Sequence, residues 1–331
     1  RFGHQLVQKY LYDELDAVQR SYLHESIGIG LEALYGGEAQ SIAPQLARHF
    51  ELAGISDKAR FYLARAADQA AAAYANDAAI DFYARSLALT PASAVSERIA
   101  LLSARERVYH ELGQRDLQRS DLDALQELAV GPEHAQLRTE LLIRRAGMAL
   151  EMSNFVAAID AASAAESVAF DGRDPGDVDA RVTAMLIRAR AHFQRGDTEA
   201  SQADLDVALT LSRAAGLTVR IARALEQQGV LRWSVGDLGG AKANLEAALG
   251  LYRDVGDLRS EASALNNLGI VAMDQRDFAR AGQYYEQGRA IVARTGQRVA
   301  ETYLLVNEGN AGYDSGDYRL SLRCAERALE I

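Results

Sequence analysis

Residues 265–291, LNNLGIVAMDQRDFARAGQYYEQGRAI, read as two short amphipathic helices joined by a turn at Arg276-Asp277. Gly269 in the first helix and Ala281 in the second sit where the two helices must touch. Gly229 and Gly309 lie 40 residues before and after Gly269, and Ala189 lies 40 before Gly229. The turn keeps step as Gly196-Asp197, Gly236-Asp237, Arg276-Asp277 and Gly316-Asp317. Self-similarity at a fixed period of this size marks a solenoid, in which each helix pair buries its apolar face only against its neighbours.

The pattern L-x-x-L-G (Leu265, Leu268, Gly269), then Gly-Asp, then small-x-x-x-aromatic-x-x-small resembles the tetratricopeptide repeat, in the longer spacing of bacterial regulatory proteins. The resemblance implies an all-α fold, a right-handed α-solenoid superhelix of antiparallel helix pairs. Composition agrees with helices. Apolar residues make up 49% of the chain, much of it alanine, and there are only four prolines. No run alternates with the period of two that a half-buried strand needs.

A net charge of −10 argues against a direct nucleic-acid surface, which needs a basic face to neutralise phosphates. The single cysteine, Cys324, precludes an internal disulfide and is consistent with a reducing cytoplasm. No apolar run approaches the roughly 18 residues of a membrane span, and no signal peptide opens the sequence. Arg1 in place of an initiator methionine, and Ile331 falling in the second helix of a repeat, lead us to expect a fragment of a longer protein.

Residues 1–35 place Leu6, Tyr10, Leu11 and Leu15 on one helix and Leu23, Ile27 and Leu31 on a second. The series F-x-H-x-L-V, Y-x-x-L and R-x-x-L-H-x-x-I, which includes Arg20, Leu23 and His24, resembles the junction where the ATPase core of STAND-type regulators enters their helical-repeat arm. Such regulators include LuxR-type transcriptional activators and repeat-bearing nucleotide cyclases. The alternative is two ordinary capping helices. Residues 41–170 read as degenerate repeats, with Gly36-Gly37 as a hinge before them, Ser56 as an N-cap and Gly54 as a helix end. Ala47 and Ala59 mark one pair there, and Ala79, Tyr83, Ser86 and Pro91 a second helix of a repeat. In the poorest copy, residues 97–130, Val108 stands in for the small residue and Glu127 for the usual alanine, and Gly131-Pro132 ends it. Ala146, Ala158 and Ala165 restore the pattern. A longer surface loop is expected over 171–179, and four regular repeats over 180–331.

Enzymatic chemistry finds no footing. No Gly-Lys pair exists to build a phosphate loop, so ATP binding is not encoded here. The histidines lack metal-ligand spacing, and Asp204 and Asp206 read as part of a solvated charged face. We therefore expect no cofactor, no metal and no catalytic residue.

The positions that stand out lie on the first helix of each repeat. Four residues after the small residue, about one turn on, come Leu150, Phe193, Trp233, Met273 and Tyr313. Beside them lie Arg190, Asn266, Asn267, Asn307 and Asn310, side chains able to hydrogen-bond a peptide backbone or a terminal carboxylate. The resemblance implies that this row lines a concave groove, and that Asn267 and Asn307 occupy a position that commonly contacts peptides. The competing reading is that the row is inter-helix core and the asparagines are local caps. Two functions fit. One is the sensor and interaction arm of a STAND-type ATPase, binding a peptide, protein or small inducer and acting on an N-terminal ATPase in cis. The other is a free-standing scaffold.

Overall fold

The computed structural model describes residues 5–168, 175–295 and 298–331. Among the described residues every regular element is helical and no strand occurs. The chain divides into two compact units, residues 1–132 and 133–331. Each unit is a right-handed α-solenoid of antiparallel helix pairs, each helix packing chiefly on its sequence neighbours.

The first unit runs α1 (Gln5–Asp13), α2 (Ala17–Tyr35), a 3-10 turn (Gly36–Ile42), α3 (Ala43–Ala53), α4 (Ser56–Ala72), α5 (Asn76–Leu89), α6 (Val95–Glu111) and α7 (Arg115–Leu128). The second comprises the pairs α8 (Ala135–Glu151) with α9 (Phe155–Val168), α10 (Pro175–Gln194) with α11 (Thr198–Ala214), and α12 (Thr218–Ser234) with α13 (Leu238–Val255). The pairs α14 (Leu258–Asp274) with α15 (Phe278–Thr295) and α16 (Arg298–Ser315) with α17 (Tyr318–Leu329) complete it. The first helices α8, α10, α12, α14 and α16 touch in succession, so one face of this unit is built from them alone.

Local chemistry explains the repeat. Seven residues after each small contact residue the backbone turns left-handed, at Gly196, Gly236, Arg276 and Gly316 (φ +83°, +84°, +59° and +84°). The aspartate that follows then caps the second helix. Its Oδ1 accepts the backbone N–H three residues on, at 3.1 Å from Asp197 to Ala200, 2.8 Å from Asp237 to Gly240, 3.1 Å from Asp277 to Arg280 and 3.0 Å from Asp317 to Leu320. Glycine tolerates the turn and aspartate satisfies an orphan donor, so the dipeptide both stops one helix and starts the next.

The helix contact is equally demanding. A Cβ on Gly229 would lie 2.7 Å from Leu245 Cγ, and one on Gly269 would run into the ring of Tyr285, which is fully buried. Buried side chains such as Leu245, Tyr252, Leu265 and Leu268 fill the space between successive pairs.

The same register reaches further back than the degenerate sequence suggests. Left-handed residues at Tyr74, Gly113 and Ser153 again fall seven residues after a contact position, namely Ala67, Glu106 and Ala146. The partner residue twelve on is Ala79, Gln118 and Ala158. In the poor copy the contact position is therefore Glu106 and not Val108. The alanine position further along the second helix holds buried Leu125, while Glu127 is exposed. The register of this copy is hidden in the sequence because a large polar side chain, Glu106, stands where the other repeats carry a small one.

Other local expectations are also revised. Ile55 precedes α4, and Ser56 is its first residue and makes no cap bond. Gly54 does end α3 in the left-handed conformation (φ +72°). Of the loop expected over 171–179, residues 171–174 lie outside the described residues, and α10 already begins at Pro175, the helix position that best tolerates proline. Asp204 is no solvated charge: it holds Arg188 through two hydrogen bonds of 2.9 and 2.6 Å, half-buried between α10 and α11.

Candidate functional site on the first-helix face

The site residues read from the sequence lie on α8, α10, α12, α14 and α16. Leu150, Phe193, Trp233 and Met273 are half-buried and pack against the core of their own repeat or the next. Tyr313 differs. It is 65% exposed and meets Tyr318 edge-on at 5.6 Å between ring centroids. The row is thus mostly packing at its inner end and surface at Tyr313. Arg190 and Asn310 are exposed.

What happens to the asparagines follows from the period. First helices of consecutive repeats lie alongside each other, so a side chain meets the one 41 positions later. Arg220 Nε and Nη2 donate to Asp179 at 2.7 and 2.8 Å, and Trp233 Nε1–H donates to Asp274 Oδ2 at 2.6 Å. Asn267 Nδ2 donates to Glu226 Oε1 at 3.1 Å, and Asn307 Nδ2 donates to Asn266 Oδ1 at 2.7 Å. These are rungs between repeats. Three of the four asparagines singled out from the sequence spend hydrogen-bonding capacity tying helices together.

Glu226 was not legible as a site residue. Its Oε2 accepts from Tyr252 OH at 2.8 Å, and its Oε1 accepts from Ser263 Oγ–H at 2.7 Å as well as from Asn267. Burial pushes its carboxyl up, opposed by these donors and by the nearby charges of Arg223 and Arg190. Burial and the adjacent Glu226 also raise the Tyr252 phenol. The cluster joins α12, α13 and α14 through one side chain. The only sequence signal was that Glu226 lies 40 positions before Asn266.

Between α14 and α16 lies a cleft of about 830 Å³ walled by Ala262, Val299, Ala300 and Leu304 and rimmed by Arg259, Arg298, Ser263, Asn266 and Tyr303. Its size falls within the range of small-ligand sites. Of the residues proposed from sequence only Asn266 belongs to it. Arg259 and Arg298 gave a faint signal: each opens a first helix within its first two residues. Among the described residues no cluster of three or more His, Cys, Asp or Glu side chains is arranged to hold a metal ion, and no helix is long and apolar enough to cross a membrane.

No protein-family model and no curated protein matches the chain. Solved structures do. A Signal Transduction ATPase with Numerous Domains protein with a tetratricopeptide repeat sensor, from Pyrococcus horikoshii, is similar over 94% of this chain at 11% identity and a TM-score of 0.62. This chain spans about half, 47%, of that protein. A Rap protein complexed with Competence and Sporulation Factor is similar over 95% of this chain and 97% of its own, at 12% identity and a TM-score of 0.61. A tetratricopeptide repeat protein from Parabacteroides merdae is similar over 87% and 99%, at 17% identity and a TM-score of 0.57. With its helix pairs, its left-handed turns and these likenesses, the chain has the tetratricopeptide-repeat fold.

Proposed function

We propose that the chain is the ligand-sensing and protein-interaction arm of a signal-transduction ATPase, and that the first-helix face of its second unit receives a peptide or a peptide segment of a partner. The observation that carries this reading is the cleft between α14 and α16, on a face whose first helices are tied together by inter-repeat rungs. The likeness to a STAND protein bearing a tetratricopeptide sensor, and to a Rap protein holding a signalling factor, supports it. In this role the chain works by binding, in the cytoplasm, and the nucleotide chemistry belongs to an ATPase in cis. A peptide bridging α14 and α16 stabilises one spacing of the two helices, and neighbour-to-neighbour packing passes that preference along the stack.

Hydrogen exchange on the 331-residue chain with and without a mixed pool of synthetic octapeptides tests the reading. Added protection confined to α14 and α16 supports it, and unchanged exchange on both helices sinks it. Calorimetric titration with Mg-ATP should give no binding heat, because the sequence offers no Gly-rich cradle with a lysine for the phosphates. A scaffold role without an ATPase is the second reading. A phosphate-loop sequence encoded in the same open reading frame, upstream of Arg1, decides between the two.

A further inference from the structure

Helix α17 carries two apolar faces. On the first, Leu320 and Cys324 lie against Gly312 and Gly309 of α16. On the second, Tyr318, Leu322, Ala325 and Leu329 follow at steps of four, three and four residues, which keeps them on one stripe. That stripe is open: Tyr318, Leu322 and Leu329 are 66%, 61% and 89% exposed. The same four positions on α13 and on α15 are all buried or half-buried. There the first helix of the following repeat covers them, Leu245 and Leu249 sharing a core with Leu268 and Val271 of α14, and Tyr285 with Leu304 and Ala311 of α16. The stripe on α17 is therefore a helix-stacking surface by position, and among the described residues no helix stacks on it. Arg319 and Glu326 flank it on one side, seven residues and about 10 Å apart, too far to pair with each other. Among the described residues neither forms an ion pair, whereas Arg327, further round the helix, is engaged with Glu330 at 2.9 Å.

We propose that this stripe is a self-association surface, on which two copies of the chain pair their α17 helices antiparallel about a twofold axis at the level of Arg323 and Cys324. Charge and shape both favour a second copy as the occupant. With the axis there, Leu322 of one copy comes level with Ala325 of the other, and Tyr318 with Leu329, so a large side chain meets a small one in the central layers. A twofold interface makes each contact twice. The same register brings Arg319 of one copy within two residues, about 3 Å along the axis, of Glu326 of the other, on the same flank. The two charges left unpaired within one copy are thus paired between copies. In a parallel arrangement that flank would face the side of Ser321 and Ala328, and the charges would find no partner. A stripe on a helix of 12 residues offers less than the roughly 800 Å² per partner of a stable interface, so the dimer is a weak one, with a Kd on the order of 100 µM. This surface lies on α17, apart from the cleft, and the proposal does not depend on how the first-helix face is read.

The test is sedimentation equilibrium of the full chain from about 1 µM to about 1 mM at low salt, where exposed charge pairs are least screened. The weight-average mass should rise with concentration toward that of a dimer and no further. Leu322→Asp should abolish the rise. R319E and E326R should each weaken the dimer by about five-fold, since each turns two weak attractions into repulsions. The double variant R319E/E326R should recover the parent affinity, because it restores both pairs with their signs exchanged. All of these positions are exposed, and an unchanged thermal melt confirms that the variants fold. A chain that stays monomeric throughout the range overturns the proposal, as does association that Leu322→Asp leaves intact or that grows past the dimer. Failure of the double variant to recover overturns the antiparallel pairing. A monomer that instead binds a synthetic helix with the sequence of α14 would give the stripe to a stacking helix and likewise overturn the dimer.

Discussion

Gln118 Nε2 donates to Glu106 Oε1 at 2.7 Å, buried between α6 and α7 at the position where the other repeats bring two small residues together. The copy that looked most degenerate keeps the register and replaces a close backbone approach by a buried polar pair. Truncating Gln118 to Ala should cost about 1–3 kcal/mol, because Glu106 loses a donor in a buried site. Replacing both should cost less than the two single changes together, with a coupling of about 0.5–3 kcal/mol in a double-mutant cycle followed by hydrogen exchange of α6 and α7. Additive losses would refute the pairing.

Gly269 and Gly282 both lie in helix interiors, one against the Tyr285 ring and the other facing open space. Gly269→Ala should destabilise by about 1–3 kcal/mol through overpacking. Gly282→Ala should stabilise by about 0.5–1 kcal/mol, since helix propensity is then the only term. Thermal melts of the two variants should move in opposite directions.

Arg276 holds a left-handed backbone (φ +59°) at a position occupied by glycine in the preceding and following repeats. Arg276→Gly should relieve strain of about 1 kcal/mol and raise the melting temperature. A fall would mean that the arginine side chain contributes more than its backbone costs.

His24 and His49 meet through their Nδ1 atoms at 2.9 Å, and Tyr12 OH lies 2.9 Å from His24 Nε2, so one chain of hydrogen bonds links α1, α2 and α3. With both rings neutral the chain is satisfied from Tyr12 O–H through His24 to His49. A proton added at His49 Nδ1 would set two N–H groups face to face, beside the charge of Arg48. Burial lowers both imidazoles below their ordinary value, with Arg48 contributing to each and His24 to His49. The folded state thus binds protons less readily than the unfolded chain. Its advantage is complete above about pH 6.5 and is lost as pH falls from there through the folded values. Acidification should speed amide exchange in α1, and His49→Gln should flatten that dependence. An α1 whose exchange follows only the intrinsic pH trend would rule the linkage out.

Trp233 is half-buried, with its indole N–H held by Asp274, so its emission should fall between those of water-exposed and core tryptophan. Asp274→Ala should shift the emission and increase iodide quenching. Since Trp233 is the only tryptophan, one spectrum reports this rung. Full exposure in the parent protein would return the residue to the groove.

The helical period, the turns and the close contacts could be read from the sequence because each is a local requirement. A left-handed residue favours glycine, the residue after it serves as a cap, and two helices in van der Waals contact exclude a Cβ. These demands recur at Gly229, Gly269 and Gly309 without reference to anything distant. The poor copy escaped because Glu106 and Gln118 meet the same requirement with different chemistry, visible only once the two side chains are placed together. The site was less legible. Whether Asn267 faces a ligand or Glu226 depends on which atoms lie 41 residues away in sequence and one helix away in space. Residue type limits what a side chain can bind. Only the tertiary structure, by setting the offset between neighbouring helices, decided which side chains were already occupied.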